Sequence, residues 1–192
     1  MEDNQLKLDP KNTALVIIDL QHGIAGSQTA PHSGPEVVAN AVKLADHFRE
    51  QGSLVVLVRV SSFDGKDRIE QQTDASSMRS ASMPEGFDVI VEELGPKKGD
   101  LVITKHQWGA FYGTELDLQL RRRGINTIVI GGISTNMGVE STARDAYERN
   151  YALVFVEDAM AARSSESHAF AITSIFPLIG RVRSTEQILK AF

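Results

Sequence analysis

Gly131-Gly132-Ile133-Ser134-Thr135-Asn136-Met137-Gly138-Val139-Glu140-Ser141-Thr142-Ala143 reads as the end of a buried strand turning into the start of a helix. The β-branched run Thr127-Ile128-Val129-Ile130 leads into it, and a helical pattern follows from about Met137 to Arg149. Such an elbow, beyond the carboxyl end of a strand, is where an α/β hydrolytic enzyme presents a nucleophile. Position 138 is a glycine here, and the chain has no cysteine anywhere. Chemistry at this elbow must therefore proceed without a thiolate, and without an acyl intermediate bound at that position.

Working outward, apolar runs alternate with helical patterns. Ala14-Leu15-Val16-Ile17-Ile18 is a strand ended by Asp19. Residues 36–50 follow as a helix, with Val37, Val38, Ala41, Leu44, Ala45 and Phe48 on one face at 3.6-residue spacing, stopped by Gly52. Leu54-Val55-Val56-Leu57-Val58 and Leu101-Val102-Ile103 are the second and third strands. A helix from Glu115 to Arg123 starts behind Thr114, a good N-cap. Strand four is Thr127–Ile130, strand five Leu153–Val156, and Arg181-Val182-Arg183 is a short sixth; residues 165–175 read as helix. Continuous β-branched runs indicate strands buried on both faces, and strands alternating with helices indicate βαβ units. The expected fold is a three-layer α/β/α sandwich with a six-stranded, mainly parallel sheet, in a single domain over residues 1–192. One irregular stretch, roughly 61–98, is long enough to form a lid or a subunit contact.

Composition narrows the function classes. The chain has 192 residues, is 42% hydrophobic and 23% charged, and carries a formal net charge of −5. That balance argues against a nucleic-acid partner, which calls for a clustered basic face. Arg121-Arg122-Arg123 instead complements a helix C-terminus. Apolar runs of about five to seven residues fall far below the ~20 that span a bilayer, so no membrane partner is expected. The polar Met1–Gln5 is unlike a secretory signal. With no cysteine there is no disulfide or thiolate metal site, which fits a reducing, cytoplasmic setting.

In open parallel sheets, ligands bind beyond the carboxyl ends of the strands. Asp19 ends strand one, Lys105 follows strand three, and Gly138 lies beyond strand four, so these sequence-distant residues converge on one crevice. Burial raises a carboxyl's pKa and a nearby ammonium lowers it; a carboxyl tuned between the two suits general acid or base work. Singly, Asp19 also fits a turn cap and Lys105 a solvated surface lysine. Their convergence favours a working pair.

Val16-Ile17-Ile18-Asp19-Leu20-Gln21 resembles the first motif of the isochorismatase-like hydrolase family, also called the cysteine hydrolases. Lys105-His106-Gln107-Trp108-Gly109-Ala110-Phe111, with Thr114 and Leu116 following, resembles its lysine motif. Gly132 through Ala146 resembles its third motif, and Glu157-Asp158-Ala159 the Asp-Ala that ends strand five. The similarity runs from about residue 12 to 185; each motif alone is weak, and all of them in order are specific. The resemblance implies an isochorismatase-like, Rossmann-like fold and a hydrolase. Most members use an Asp-Lys-Cys triad in which the cysteine attacks an amide; the matching residue here is Gly138. Ser141 and Thr142 match other family positions and are not promoted to nucleophile. Isochorismatases proper are similar in lacking the cysteine, and hydrolyse a vinyl ether. By that resemblance Asp19 protonates the substrate, Lys105 holds an anionic group, and Gly138 leaves room where a thiol would stand. A cis peptide joining Ile133 and Ser134 is implied as well.

Trp108 and Phe111 match family positions near the substrate, and together with Ser134 and Gln21 they are expected to contact it. Arg59 and Arg68 are candidates for further carboxylate contacts. The metal-binding members carry an Asp-x-His pattern after strand two, where this chain reads Arg59-Val60-Ser61-Ser62-Phe63-Asp64-Gly65-Lys66. His22, His32, His47, His106 and His168 show no ligand spacing. No metal and no cofactor are expected. The partner is a small-molecule substrate, and the resemblance implies a homo-oligomer, with Phe63, Met78 and Met83 candidates for a buried subunit contact. Two other readings stand: a non-catalytic binding protein that kept the pocket after losing the thiol, and direct attack of water on an amide with Asp19 as base.

Overall fold

A continuous apolar run can bury both faces of a strand, and β1 (Thr13–Ile18) is buried at every residue. The computed structural model describes residues 6–74 and 83–192; Met1–Gln5 and the expected contact residue Met78 lie outside them. β1 pairs in parallel with β2 (Leu54–Val60) on one side and β4 (Thr127–Ile133) on the other. β3 (Leu101–Lys105) flanks β2, while β5 (Ala152–Ala161) and β6 (Arg181–Arg183) continue beyond β4. The order is β3-β2-β1-β4-β5-β6, with every pairing parallel. The expected α/β fold with a six-stranded parallel sheet is what the chain forms.

Period-two alternation sorts β1 between two cores. Leu15 and Ile17 pack with Val37, Ala41, Leu44 and Phe48 of α2 (Gly34–Glu50). Ala14, Val16 and Ile18 pack with Leu116 and Leu120 of α3 (Leu116–Arg122), and with Ala143 and Ala146 of α4 (Glu140–Glu148). Helix α2 opens on a capping box: the Ser33 hydroxyl accepts from the Glu36 amide, and the Glu36 carboxylate accepts from the Ser33 amide at 2.8 Å. α3 begins one residue later than expected, with Glu115 at its N-cap, and the Thr114 hydroxyl accepts from the Leu116 amide at 3.1 Å. α7 (Thr185–Leu189) packs beside α2 on the first face.

Several boundaries moved. The helix expected from Met137 begins as a π turn, Thr135–Val139, before α4. The helix expected over 165–175 divides into α5 (Ser165–Phe170) and a second π turn, Ala171–Ile175. Strand β5 runs on through Glu157 and Asp158 to Ala161, although two acidic residues end its apolar run. Short helices α1 (His22–Ala25) and α6 (Phe176–Ile179) fill stretches that carry no periodic signal. Within the long irregular stretch, Ile90 makes an isolated antiparallel bridge to Gln21, and Phe63 stands 93% exposed. No described helix is long and apolar enough to cross a membrane.

The sheet reverses direction of winding between β1 and β4, the switch point at which open α/β sheets open a crevice. Gly132 makes that junction possible. Its φ is 123°, and a Cβ there would lie 2.0 Å from the Ile18 carbonyl oxygen. Only glycine lets the end of β4 press against the backbone that delivers Asp19.

Candidate active site

Asp19 leaves β1 with φ 56°, a left-handed conformation uncommon outside glycine. Its amide donates to the Val58 carbonyl at 2.9 Å and its carbonyl accepts from the Gln21 amide at 2.9 Å, so the backbone on either side is held. The kink turns the side chain into the crevice. Lys105 reaches it from the end of β3, and Nζ donates to Asp19 Oδ2 at 2.8 Å and to the Gln107 carbonyl at 3.0 Å. Both residues are buried, Asp19 at 5% and Lys105 at 1% exposure. Two of the three ammonium donors are thus accounted for.

Burial pushes the Asp19 carboxyl up to about 6, and the charge and hydrogen bond of Lys105 hold it from rising further. Asp19 Oδ1 is buried and has no hydrogen-bond partner among the described residues. Because Oδ2 stays engaged as acceptor for Lys105, the proton of the acid form belongs on Oδ1. The carboxyl therefore offers one free oxygen that titrates close to neutrality, the property wanted in a general acid or base.

Gly138 faces this pair from the π turn. A Cβ at 138 would lie 3.1 Å from Asp19 Oδ2, 3.0 Å from Ile18 Cγ2 and 3.5 Å from the Trp108 carbonyl oxygen. Position 138 is therefore the point from which a side chain would address the Asp19–Lys105 pair. The first carbon of a side chain there would already meet these neighbours at contact distance. The turn is locked from behind by Thr142, whose hydroxyl donates to the Gly138 carbonyl at 2.7 Å and accepts from the Ala110 amide at 3.1 Å. With both of its bonds made to backbone, Thr142 is a brace. The Ile133–Ser134 peptide is cis, as the resemblance implied, and the Ser134 carbonyl accepts from the Met137 and Val139 amides.

The expected substrate contacts divide. Trp108 borders the site through its carbonyl, and the residue is 58% exposed. Phe111 is 4% exposed and packs in the core, 5.9 Å from the Tyr151 ring, with the Arg149 guanidinium 5.0 Å from its own centroid. Gln21 is fully buried; it donates from Nε2 to the Val60 and Phe87 carbonyls, both at 3.0 Å, and accepts from the Val60 amide at 2.9 Å. Those bonds tie the end of β2 and the 84–91 segment to β1 and use both donors of the amide. Gln21→Ala strands three partly buried backbone groups, each costing about 1 kcal/mol. We expect a urea midpoint lowered by roughly 3 kcal/mol in stability; a loss well under 1 kcal/mol would return Gln21 to the substrate side.

Arg59 is tied to its surroundings, Nε donating to the Thr104 hydroxyl at 3.1 Å and Nη1 lying 3.8 Å from Asp88. Among the described residues no three carboxylates or imidazoles converge as metal ligands. A hollow of about 370 Å³ opens at the opposite end of the sheet, lined by Lys11, Arg49 and Lys98 among others. Arg49 there is already bonded to Asp46 and Asp100. Volume alone does not mark a site; the candidate is the buried carboxyl–ammonium pair at the carboxyl end of the sheet.

Two features carry no local signal in the sequence. Gln107 closes the loop after β3, its Nε2 donating to the Gly109 and Tyr112 carbonyls while its own carbonyl accepts from Lys105. Thr135, at the start of the π turn, bonds His168 of α5 at 2.9 Å.

The isochorismatase domain family model matches residues 13–187. A protein of Escherichia coli O157:H7 named as the uncharacterized isochorismatase family protein YecD is 52% identical over 187 residues, covering 97% of this chain and 99% of its own. The ureidoacrylate amidohydrolase RutB of Acinetobacter baylyi is 30% identical over 223 residues, covering 100% of this chain and 88% of its own. Among solved structures, an isochorismatase family protein from Burkholderia thailandensis superimposes with a TM-score of 0.93 at 44% identity over 98% of both chains.

Proposed function

This chain belongs to the isochorismatase family of hydrolases, and we propose that it hydrolyses a small anionic vinyl ether by acid catalysis from Asp19, with no nucleophile at position 138. The observation that carries this reading is the Asp19 Oδ1 oxygen: buried, unpartnered and, once protonated, a proton donor in a site that has no thiol. Asp19 delivers its proton to the methylene carbon of the vinyl ether, leaving an oxocarbenium ion at the adjacent carbon. Water adds to that carbon and returns one proton to Asp19. The hemiketal then breaks its bond to the ether oxygen, releasing pyruvate and an alcohol. Overall one water is consumed and the acid is regenerated. Lys105 stabilises the carboxylate form of Asp19 between these steps, and its remaining donor is available to a substrate carboxylate.

A second reading is favoured by the relative named as a ureidoacrylate amidohydrolase: water attacks an amide with Asp19 as base. The two readings require opposite protonation states of one carboxyl, so pH separates them. With Asp19 titrating at about 6, the acid form is lost as pH rises through 6. Acid catalysis then falls by about tenfold per pH unit above that point, whereas base catalysis rises to a plateau. Pyruvate release from isochorismate, followed from pH 5 to pH 8, is expected to show the falling limb. A rate that rises through pH 6 overturns the acid reading, and tight carboxylate binding without any product marks a binding protein.

A further inference from the structure

Thr135 and Thr142 both fasten the π turn that carries Gly138, and they do so from opposite ends. Thr142 grips the Gly138 carbonyl from α4. Thr135, three residues before the glycine, is fully buried, and its hydroxyl meets His168 Nδ1 at 2.9 Å across 33 residues of sequence. His168 is itself 4% exposed. Its backbone is set by α5, where the His168 amide donates to the Ser164 carbonyl at 3.2 Å, and its ring stands edge-on to His32 with centroids 5.9 Å apart. A buried imidazole with one hydroxyl partner is costly to place and specific in direction. π turns of a single wrap are uncommon and concentrate at functional sites.

We propose that His168 is a positioning residue: through its hydrogen bond to Thr135 it fixes the π turn that seals Gly138 against the Asp19 carboxyl. The inference rests on the Asp19 site proposed above and not on any particular substrate. Burial, and then the neighbouring His32, lower the His168 pKa to about 4, so the ring is neutral wherever the Asp19 carboxyl titrates and the Thr135 bond persists through that range. Gly138 packs close enough that an added Cβ would touch Asp19 Oδ2 at 3.1 Å. A turn that loosens at Thr135 admits water to Asp19, and the burial that raises its pKa is relieved.

The test reads Asp19 directly. The side-chain carboxyl carbons of aspartate are labelled with carbon-13 in the full-length chain, the Asp19 resonance is assigned by its absence in Asp19→Asn, and its titration is followed by NMR. In His168→Phe and in Thr135→Val the Asp19 midpoint is expected to fall by roughly one pH unit, toward the ordinary aspartate range. His168→Asn, which restores a hydrogen-bonding atom near the Nδ1 position, is expected to return it toward the wild-type value. Thr135→Val added to His168→Phe should shift the midpoint no further than either change alone. If His168→Phe does not fold, Thr135→Val and His168→Asn carry the comparison. A midpoint unmoved by Thr135→Val, or a His168→Asn chain that behaves like the loosened variants, overturns the proposal. Because no turnover is measured, its failure is distinct from failure of the vinyl ether reading.

Discussion

Asp19→Asn is expected to lower pyruvate release from isochorismate by about 10²–10⁴-fold, the range that a general acid supplies, while substrate binding survives. Asparagine keeps the shape of the side chain and an oxygen for Lys105, so the crevice is preserved and only the titrating proton is lost. A falling limb above pH 6 in the wild type, absent from the residual rate of the variant, assigns that limb to this carboxyl. Retained turnover removes Asp19 from the chemistry. The same substitution has a thermodynamic signature. The folded-state pKa of Asp19 is raised from 3.8 to about 6, so the native state holds this proton more tightly than the unfolded chain. The stabilisation from that proton is complete below 3.8 and is lost as pH rises through 6. Asp46, Asp67 and Asp88, whose pKa values are lowered by their hydrogen bonds to Lys97, Ser62 and Ser61, contribute in the opposite direction. Subtracting the Asp19→Asn curve from the wild-type curve, from urea melts at matched pH, isolates a term that declines between pH 4 and pH 6.

Much of this arrangement is legible in the sequence. The run Leu15–Ile18 is apolar without alternation, and only a strand covered on both faces accommodates that; the sheet follows from four more such runs and the short Arg181-Val182-Arg183. Asp19, Lys105 and Gly138 stood out because each lies where a strand ends, and strand ends of a parallel sheet share one rim. What stayed illegible has a common physical source. Gln21 at a strand mouth reads the same whether its amide faces a ligand or the backbone of its neighbours, since both uses demand the same donors and acceptor. Phe111 lies in a segment with no helical or strand period to say which way its ring turns. Glu157 and Asp158 broke an apolar run and concealed half of β5, although their exposure is only partial and Asp158 is occupied in capping α7 through the Thr185 amide and hydroxyl. The partnership of His168 with Thr135 spans elements whose approach no local pattern encodes. Directional bonds between distant side chains are set by packing, and packing is the last thing a sequence discloses.

Lys105→Met separates the two roles of the lysine, and its effect should be larger on stability than that of any surface substitution. Methionine fills much of the same buried volume but removes the ammonium, which leaves Asp19 Oδ2 without its 2.8 Å partner in a site that already withholds a partner from Oδ1. Breaking a buried pair on one side costs about 3–5 kcal/mol while the remaining charge persists. Asp19 can escape that cost by keeping its proton, because desolvation, no longer opposed by Lys105, drives its pKa above 6. The loss of stability is therefore expected to depend on pH: small near pH 5, where the carboxyl is neutral in the variant and mostly neutral in the wild type, and growing by about 2–3 kcal/mol by pH 8, because each pH unit above the wild-type value of about 6 is worth about 1.4 kcal/mol. Urea melts at the two pH values measure it. Adding Asp19→Asn to Lys105→Met should abolish the pH-dependent part, since no buried charge is left to strand. The catalytic consequence runs the other way. With the Asp19 pKa raised, the falling limb of the acid-catalysed rate moves to higher pH, while KM for an anionic substrate increases through loss of the Lys105 donor. A limb that shifts upward with a raised KM supports an acid tuned by its lysine. A limb that stays at 6 would mean that Lys105 does not set the protonation of Asp19, and the pair would then be a structural tie across the sheet.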